Sequence, residues 1–414
     1  MPISFILPVL VTVVGLYLLV KLRFFFIAHP IRTVREFSSA LRDRDARRSF
    51  FLALAGTLGV GNIFGVSAGI MIGGEGSLFW LFISSLFSAV IKYAEILLAF
   101  DGPKREGGTA GVLSALFSRR GKKLATFYAC LTVALSLFMG AAMQTVAVCD
   151  IARQTLNLTP TITAIILILL LTPAFLGGAK KIENITEIVI PLTTIIYIIM
   201  CFCVIFRNFP KLPDIIVRIV SSAISPRAVA GGATALAIKE GFARGILSNE
   251  AGAGTSAMAH QRSSGRSPHV AGLFGMCEVL FDTTLLCTLT GLSILLSVDD
   301  PSAFSSPMAL VFAAFRSSLG MASGLLLPLI FSFAYATIIC WFYYGVEYSR
   351  LYFGEFKKFY IFIFLFFALL SFSIPSTLLL YLTDLILLLM ACLTLYAIVK
   401  RADRIRELSL KNPE

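Results

Sequence analysis

Charged and amide side chains stand inside runs that are otherwise apolar. Glu278 and Asp282 lie in MCEVLFDTTLLCTLT, Lys92 and Glu95 in IKYAEILLAF, and Gln144 in FMGAAMQTVAV. A charge at the centre of a bilayer costs roughly 2.5–3.5 kcal/mol on insertion scales, so each is a candidate for handling an ion or a substrate. Lys92 and Glu95 share a helical face three residues apart and can pair. They are either a gate or coupling pair or a self-neutralised structural pair. Glu278 and Asp282, four apart and of like charge, cannot both face one dry site while ionised. A proton, a cation or a basic partner such as Lys92 is expected there. Gln144 must find partners, on another helix or on a substrate's carboxylate or amine. Ser332 and Thr337 can offer hydroxyl oxygens to a hard cation. Trp341 is either an interface-belt residue or a pocket wall.

Two glycine-rich stretches can hold such groups in place. Residues 53–76 carry Gly56, Gly59, Gly61, Gly65 and Gly69, with Thr57 and Asn62 among them. Glycine is a poor helix former, so this density predicts a helix broken in mid-span. The competing reading is close helix packing through small residues, for which Gly61 and Gly65 have the spacing. A second break is expected at Gly231-Gly232. Paired interrupted helices in corresponding places of two halves point to a transport site. No acidic residue sits at these two positions, which favours a neutral or zwitterionic substrate over a cationic one. The stretch 241–260, GFARGILSNEAGAGTSAMAH, contains Asn249 and Glu250 and is read as a turn or as a polar gate loop lining an inner vestibule.

The elements that must carry these residues are membrane helices. The chain has 414 residues, 57% hydrophobic and 14% charged, against about 25% charged in soluble domains. Eleven spans are expected, near 3–21, 50–73, 76–100, 124–148, 161–178, 186–206, 228–246, 269–297, 320–345, 358–373 and 376–399. Segments 211–225 and 306–318 are expected as helices on the surface or over a cavity. Of the 35 lysines and arginines, 28 fall in alternate loops and the C-terminal tail. The positive-inside rule then places the N-terminus outside and the C-terminus in the cytoplasm. The net charge of +12 is therefore a topology signal and not a nucleic-acid footprint. The eight cysteines show no metal or disulfide spacing. The histidines His29, His260 and His269 show no metal spacing, and no enzyme constellation is found. Setting the first span aside leaves five and five, with the second half starting on the opposite side. The organisation expected is an extra helix and basic loop (1–49), two inverted five-helix repeats (50–210 and 211–399) and a basic tail (400–414).

AGTLGVGNIFGV, IKYAEILLAF, GFARGILSNEAGAGTSAMAH, CEVLFDTTLLCTLTGL and ATIICWFYYGVEY, in that order, closely resemble the alanine/glycine:cation symporter family. That family belongs to the amino acid–polyamine–organocation superfamily. The resemblance implies an all-α polytopic fold with a LeuT-like five-plus-five inverted repeat. It implies cation-coupled symport of a small neutral amino acid in a cell (inner) membrane, with Na+ as coupling ion and H+ as the alternative. It further implies that Thr57, Gly59, Gly61 and Asn62 line the site, that Gln144 contacts substrate and that Trp341 walls the pocket. Thr337 becomes a sodium ligand, and Gly231 and Gly232 form the second broken helix. The chain departs from the family's usual pattern at Val60, where a threonine is usual, at Glu75, and at Thr109-Ala110. An uncoupled facilitator or channel is the rival class.

Overall fold

The computed structural model describes residues 3–24, 28, 30–102, 107–117, 120–224, 232–261, 267–354 and 356–410. Every element that positions the site is a helix: α1 (Ile3–Lys21), α2 (Pro30–Ala40), α3 (Arg44–Thr57), α4 (Gly61–Gly73), α5 (Gly76–Asp101), α6 (Gly108–Leu116), α7 (Gly121–Leu156), α8 (Pro160–Leu176) and α9 (Gly178–Arg207). These are followed by α10 (Leu212–Ile224), α11 (Ala233–Asn249), α12 (Ala257–His260), α13 (Pro268–Ser297), α14 (Pro307–Leu319), α15 (Leu326–Phe353), α16 (Phe356–Leu370), α17 (Ser376–Lys400) and α18 (Ala402–Leu410). Three starts share one device, a hydroxyl cap followed by proline: Thr159-Pro160, Ser267-Pro268 and Ser306-Pro307, each cap oxygen accepting a backbone N–H. Proline fits the first helical position because no intrahelical partner awaits its missing N–H.

Six helical stretches are long and apolar enough to cross a membrane among the described residues. The α3–α4 pair, bent by 42°, makes a seventh. The first, eighth and sixteenth helices are shorter and apolar, so the eleven spans expected do not all appear as long helices. The burial pattern is that of a membrane protein. Leu169, Ile188, Leu192, Phe362 and Phe366 are exposed, whereas Lys92, Glu95, Glu278 and Asp282 are buried. Lipid tolerates the first set and the interior must pair the second.

Close packing through small residues is real, although it uses other glycines than expected. A Cβ on Gly69 would stand 2.9 Å from Arg244 Cγ, and one on Gly73 2.9 Å from Glu240 Cβ. One on Gly65 would make ordinary contact with Leu247 at 3.5 Å, and one on Gly61 would reach only the Leu247 carbonyl, at 3.9 Å. As residue numbers rise along α4 they fall along α11, so these two helices run antiparallel. The two segments left open by the sequence part ways. α14 buries Met308, Leu310, Val311, Ala314 and Phe315 and covers α4. α10 lies along α5, with Trp80 Nε1 donating to the Ala223 carbonyl at 3.3 Å, and keeps Ile216, Val217 and Ile224 exposed. The first helix packs on α5 and touches α11 and α17. It is tied to the tail by Lys21–Asp403 at 2.5 Å, a contact that holds the Asp403 carboxyl below its usual range.

Candidate functional site

The first break follows from hydrogen bonds that a continuous helix would have made. At the end of α3, Gly59 N turns back to the Thr57 carbonyl at 2.7 Å. Val60 N goes instead to Gln144 Oε1 on α7 at 3.0 Å. The carbonyls of Ala55 and Gly56 thereby lose their i+4 donors. Both are recovered from α15: Thr337 Oγ1 donates to Ala55 at 2.9 Å and Trp341 Nε1 donates to Gly56 at 3.2 Å. Freed backbone at bilayer depth is stable only when covered in this way. A Cβ at Gly59 would meet Thr337 Oγ1 at 2.7 Å and Gln144 Oε1 at 2.9 Å. Space alone requires glycine here. Gln144 also donates through Nε2 to the Met139 carbonyl at 3.1 Å, so in this conformation it bridges two helices through their backbones. Trp341 is fully buried and lies against the backbone at Gly140, which excludes the belt reading. Replacing Trp341 with phenylalanine deletes one neutral hydrogen bond, worth about 1 kcal/mol. Uptake by Trp341→Phe should fall about fivefold without loss of folding, as transport and melting measurements on the same preparation would show.

Beside this break stands Asp282. Asn62 Nδ2 donates to its Oδ1; Ser248 Oγ donates to its Oδ2 at 2.6 Å and Thr283 Oγ1 donates to the same oxygen at 2.8 Å. Ser248 also lies 3.0 Å from Asn62 Oδ1, and Asn249 Nδ2 donates to Thr283 Oγ1 at 3.1 Å. None of these side chains is more than 3% exposed. Among the described residues no lysine or arginine comes within ion-pairing distance of Asp282. Asn62, Gln144 and Asp282 sit in or directly beside π-helical turns, Gly61–Gly65, Ser136–Met143 and Leu280–Cys287. Such turns are rare and gather at functional sites. The wider turn also shifts Asp282 relative to Glu278. The two like charges thus enter different environments, Glu278 meeting Lys92 at 3.4 Å and Asp282 meeting amide and hydroxyls.

The break expected at Gly231-Gly232 falls at the edge of the described residues. Gly231 lies outside the described residues. Gly232 is exposed and left-handed (φ 73) at the entrance of α11. An interruption is seen at the other end of α11, before α12, where Glu250, Gly252 and Gly254 have φ of 55, 85 and 78. Its backbone is satisfied by side chains. Tyr128 OH donates to the Ala253 carbonyl at 2.6 Å, Thr109 Oγ1 to Gly254 at 2.9 Å, and Gly252 N donates to Glu95 Oε2 at 2.9 Å. Lys92 Nζ donates to the Asn249 carbonyl at 2.9 Å. The expectation that no acidic residue stands at the breaks is corrected at the first, against which Asp282 lies, and Glu250 stands in the interruption after α11.

Of the other expected residues, Thr57 is buried and donates to the Leu54 carbonyl at 3.3 Å in its own helix. Gly61 opens the π turn beside Leu247. Ser332 is not brought to the site: it donates to the Pro328 carbonyl at 2.7 Å in its own helix, beside Leu170, Val189, Phe331 and Tyr335. Ser248 and Thr283 belong to the cluster and were not expected there. Their signal is a short hydroxyl one residue from an amide or acid inside an apolar run, Ser248-Asn249 and Asp282-Thr283.

A family model described as "Sodium:alanine symporter family" matches residues 1–408. The chain is 31% identical to the "Probable sodium/glutamine symporter GlnT" of Bacillus subtilis, over 83% of this chain and 73% of that one. It is 30% identical to the "Sodium/alanine symporter AgcS" of Methanococcus maripaludis, over 72% and 68%. In fold it is similar to MhsT, solved in complex with L-phenylalanine, with a TM-score of 0.65 at 14% identity over 88% of this chain and 95% of that one.

Proposed function

The chain belongs to the sodium:alanine symporter family, and from that premise we propose that it carries glycine or alanine, L or D, inward together with Na+. The observation that carries this reading is Asp282, a buried carboxylate held by amide and hydroxyls with no cationic partner among the described residues. Such a charge is expensive in a dry interior until it is balanced. A neutral amino acid brings one carboxylate and one ammonium. With Asp282 that makes two negative charges against one positive, and a single Na+ closes the balance. The zwitterion adds no net charge, so coupling comes from contact: an Na+ lying between Asp282 and the substrate's carboxylate favours both, which is what coupling requires.

In this reading Asn62, Ser248 and Asp282 receive the ammonium or the cation. The Thr337 hydroxyl and the Ala55 carbonyl, 2.9 Å apart, serve as further hard oxygen ligands for Na+. Gln144 and Trp341 would wall the substrate site once helix movement opens space beside the glycine backbone at Gly59 and Gly61, for a small side chain only. The site residues are buried, so helices must move to admit substrate, as alternating access demands. The antiparallel packing of α4 and α11, each running into a break at the site, supports the five-plus-five inverted repeat. The lysine and arginine distribution supports eleven spans in the cell membrane, with the N-terminus outside and the C-terminus inside.

Labelled alanine, glycine, D-alanine and glutamine, offered to proteoliposomes under sodium or proton gradients imposed separately, test this. Alanine or glycine accumulation driven by the sodium gradient is expected. Uptake unchanged after both gradients are collapsed would make the protein a facilitator.

A further inference from the structure

Lys92 is held where a metal ion would be at home. Its side chain is wholly buried at the end of α11. Nζ donates to the Asn249 carbonyl at 2.9 Å and faces Glu95 Oε1 at 3.5 Å and Glu278 Oε1 at 3.4 Å. Neither of those carboxylate oxygens has a hydrogen-bond partner. Their other oxygens are anchored, Glu95 Oε2 by Gly252 N at 2.9 Å and Glu278 Oε2 by His260 Nε2 at 3.1 Å. The carbonyl belongs to the last turn of a 17-residue helix, whose C-terminal end carries a partial negative charge. A helix-end carbonyl and two carboxylate oxygens form a donor set for a small cation. The chain fills it with its own ammonium.

We propose that Lys92 is the resident cation of the second break, a tethered ion that positions the unwound segment Glu250–Ser256, so that no mobile cation is needed there. The two breaks then differ in kind. The first waits for a mobile cation at Asp282, and the second carries its own. This inference rests on the symport reading only for its transport measurements.

The test is Lys92→Ala, with Lys92→Arg beside it. At constant sodium, Lys92→Ala should show uptake at background and a lowered melting temperature. Adding methylammonium or K+ should restore both, with a rise on the order of 5 °C at a hundredfold excess over the dissociation constant. The wild type and Lys92→Arg should not respond. Melting does not depend on what is transported, so a wrong substrate assignment leaves that arm intact. Wild-type uptake and stability in Lys92→Ala, or a folded variant that no cation stabilises, would overturn the proposal. Should Lys92→Ala not be recovered folded, Lys92→Met combined with Glu278→Gln removes one charge of each sign. Recovery of that pair as a folded protein supports the resident-cation role, and its failure to fold counts against it.

Discussion

Asp282→Asn is expected to lower sodium-driven uptake at least 100-fold while the protein stays folded. Asparagine keeps the shape, and its oxygen can still accept from Asn62. Its amide then faces Ser248 and Thr283, hydroxyls that rotate to accept as readily as they donate. What disappears is the charge. Losing one member of a buried charge pair costs roughly 3–5 kcal/mol, which is more than two decades in affinity. The melting temperature in the absence of ligand should change little or rise, because an unbalanced carboxylate has been removed. Normal sodium-dependent uptake by this variant would remove the charge-balance account of coupling.

Gly59→Ala should reduce uptake between about fivefold and about 150-fold. The added methyl meets Thr337 Oγ1 at 2.7 Å and Gln144 Oε1 at 2.9 Å. Overpacking of this kind costs about 1–3 kcal/mol. Both neighbours are held by the backbone they serve, Thr337 on Ala55 and Gln144 on Val60, so neither can step aside without uncovering the break. Gly59 is not among the glycines with positive φ, so the effect is one of space. Gly65→Ala is the control. Its methyl would make ordinary contact with Leu247 at 3.5 Å, and its uptake should stay within about twofold of wild type. Equal losses in both variants would mean that general helix packing sets the effect.

The first break was legible because glycine density and polar residues coincide at one place. The second was not. Gly231-Gly232 satisfied the glycine criterion, whereas the interruption seen among the described residues lies where Ser248, Asn249, Glu250, Gly252 and Gly254 combine polarity with left-handed turns. Hydrophobicity drew the span to end near residue 246, which left that combination looking like a loop. The π turns leave no mark in composition, so the separation of Glu278 from Asp282 was visible only as a conflict of like charges needing a resolution. Lys92 and Glu95 were readable as a pair. The like charges of Glu278 and Asp282 pointed to Lys92 as a basic partner, which Glu278 meets at 3.4 Å; the Asn249 carbonyl, from a helix far along the chain, is announced by no local pattern. Ser332 and Thr337 look alike in sequence, but their place on the helix decides. One hydroxyl reaches the carbonyl freed by the break and the other returns to its own helix.

The symport proposed around Asp282 requires that sodium and amino acid bind as partners. By linkage, the factor by which sodium tightens alanine binding equals the factor by which alanine tightens sodium binding. Equilibrium binding of labelled alanine to the purified wild type, titrated against sodium, and of sodium titrated against alanine, measures both. The same two titrations are repeated on Asp282→Asn. The account predicts equal factors of at least about tenfold in the wild type and factors near one in the variant. Alanine binding that ignores sodium in the wild type, or coupling that survives in Asp282→Asn, would contradict it.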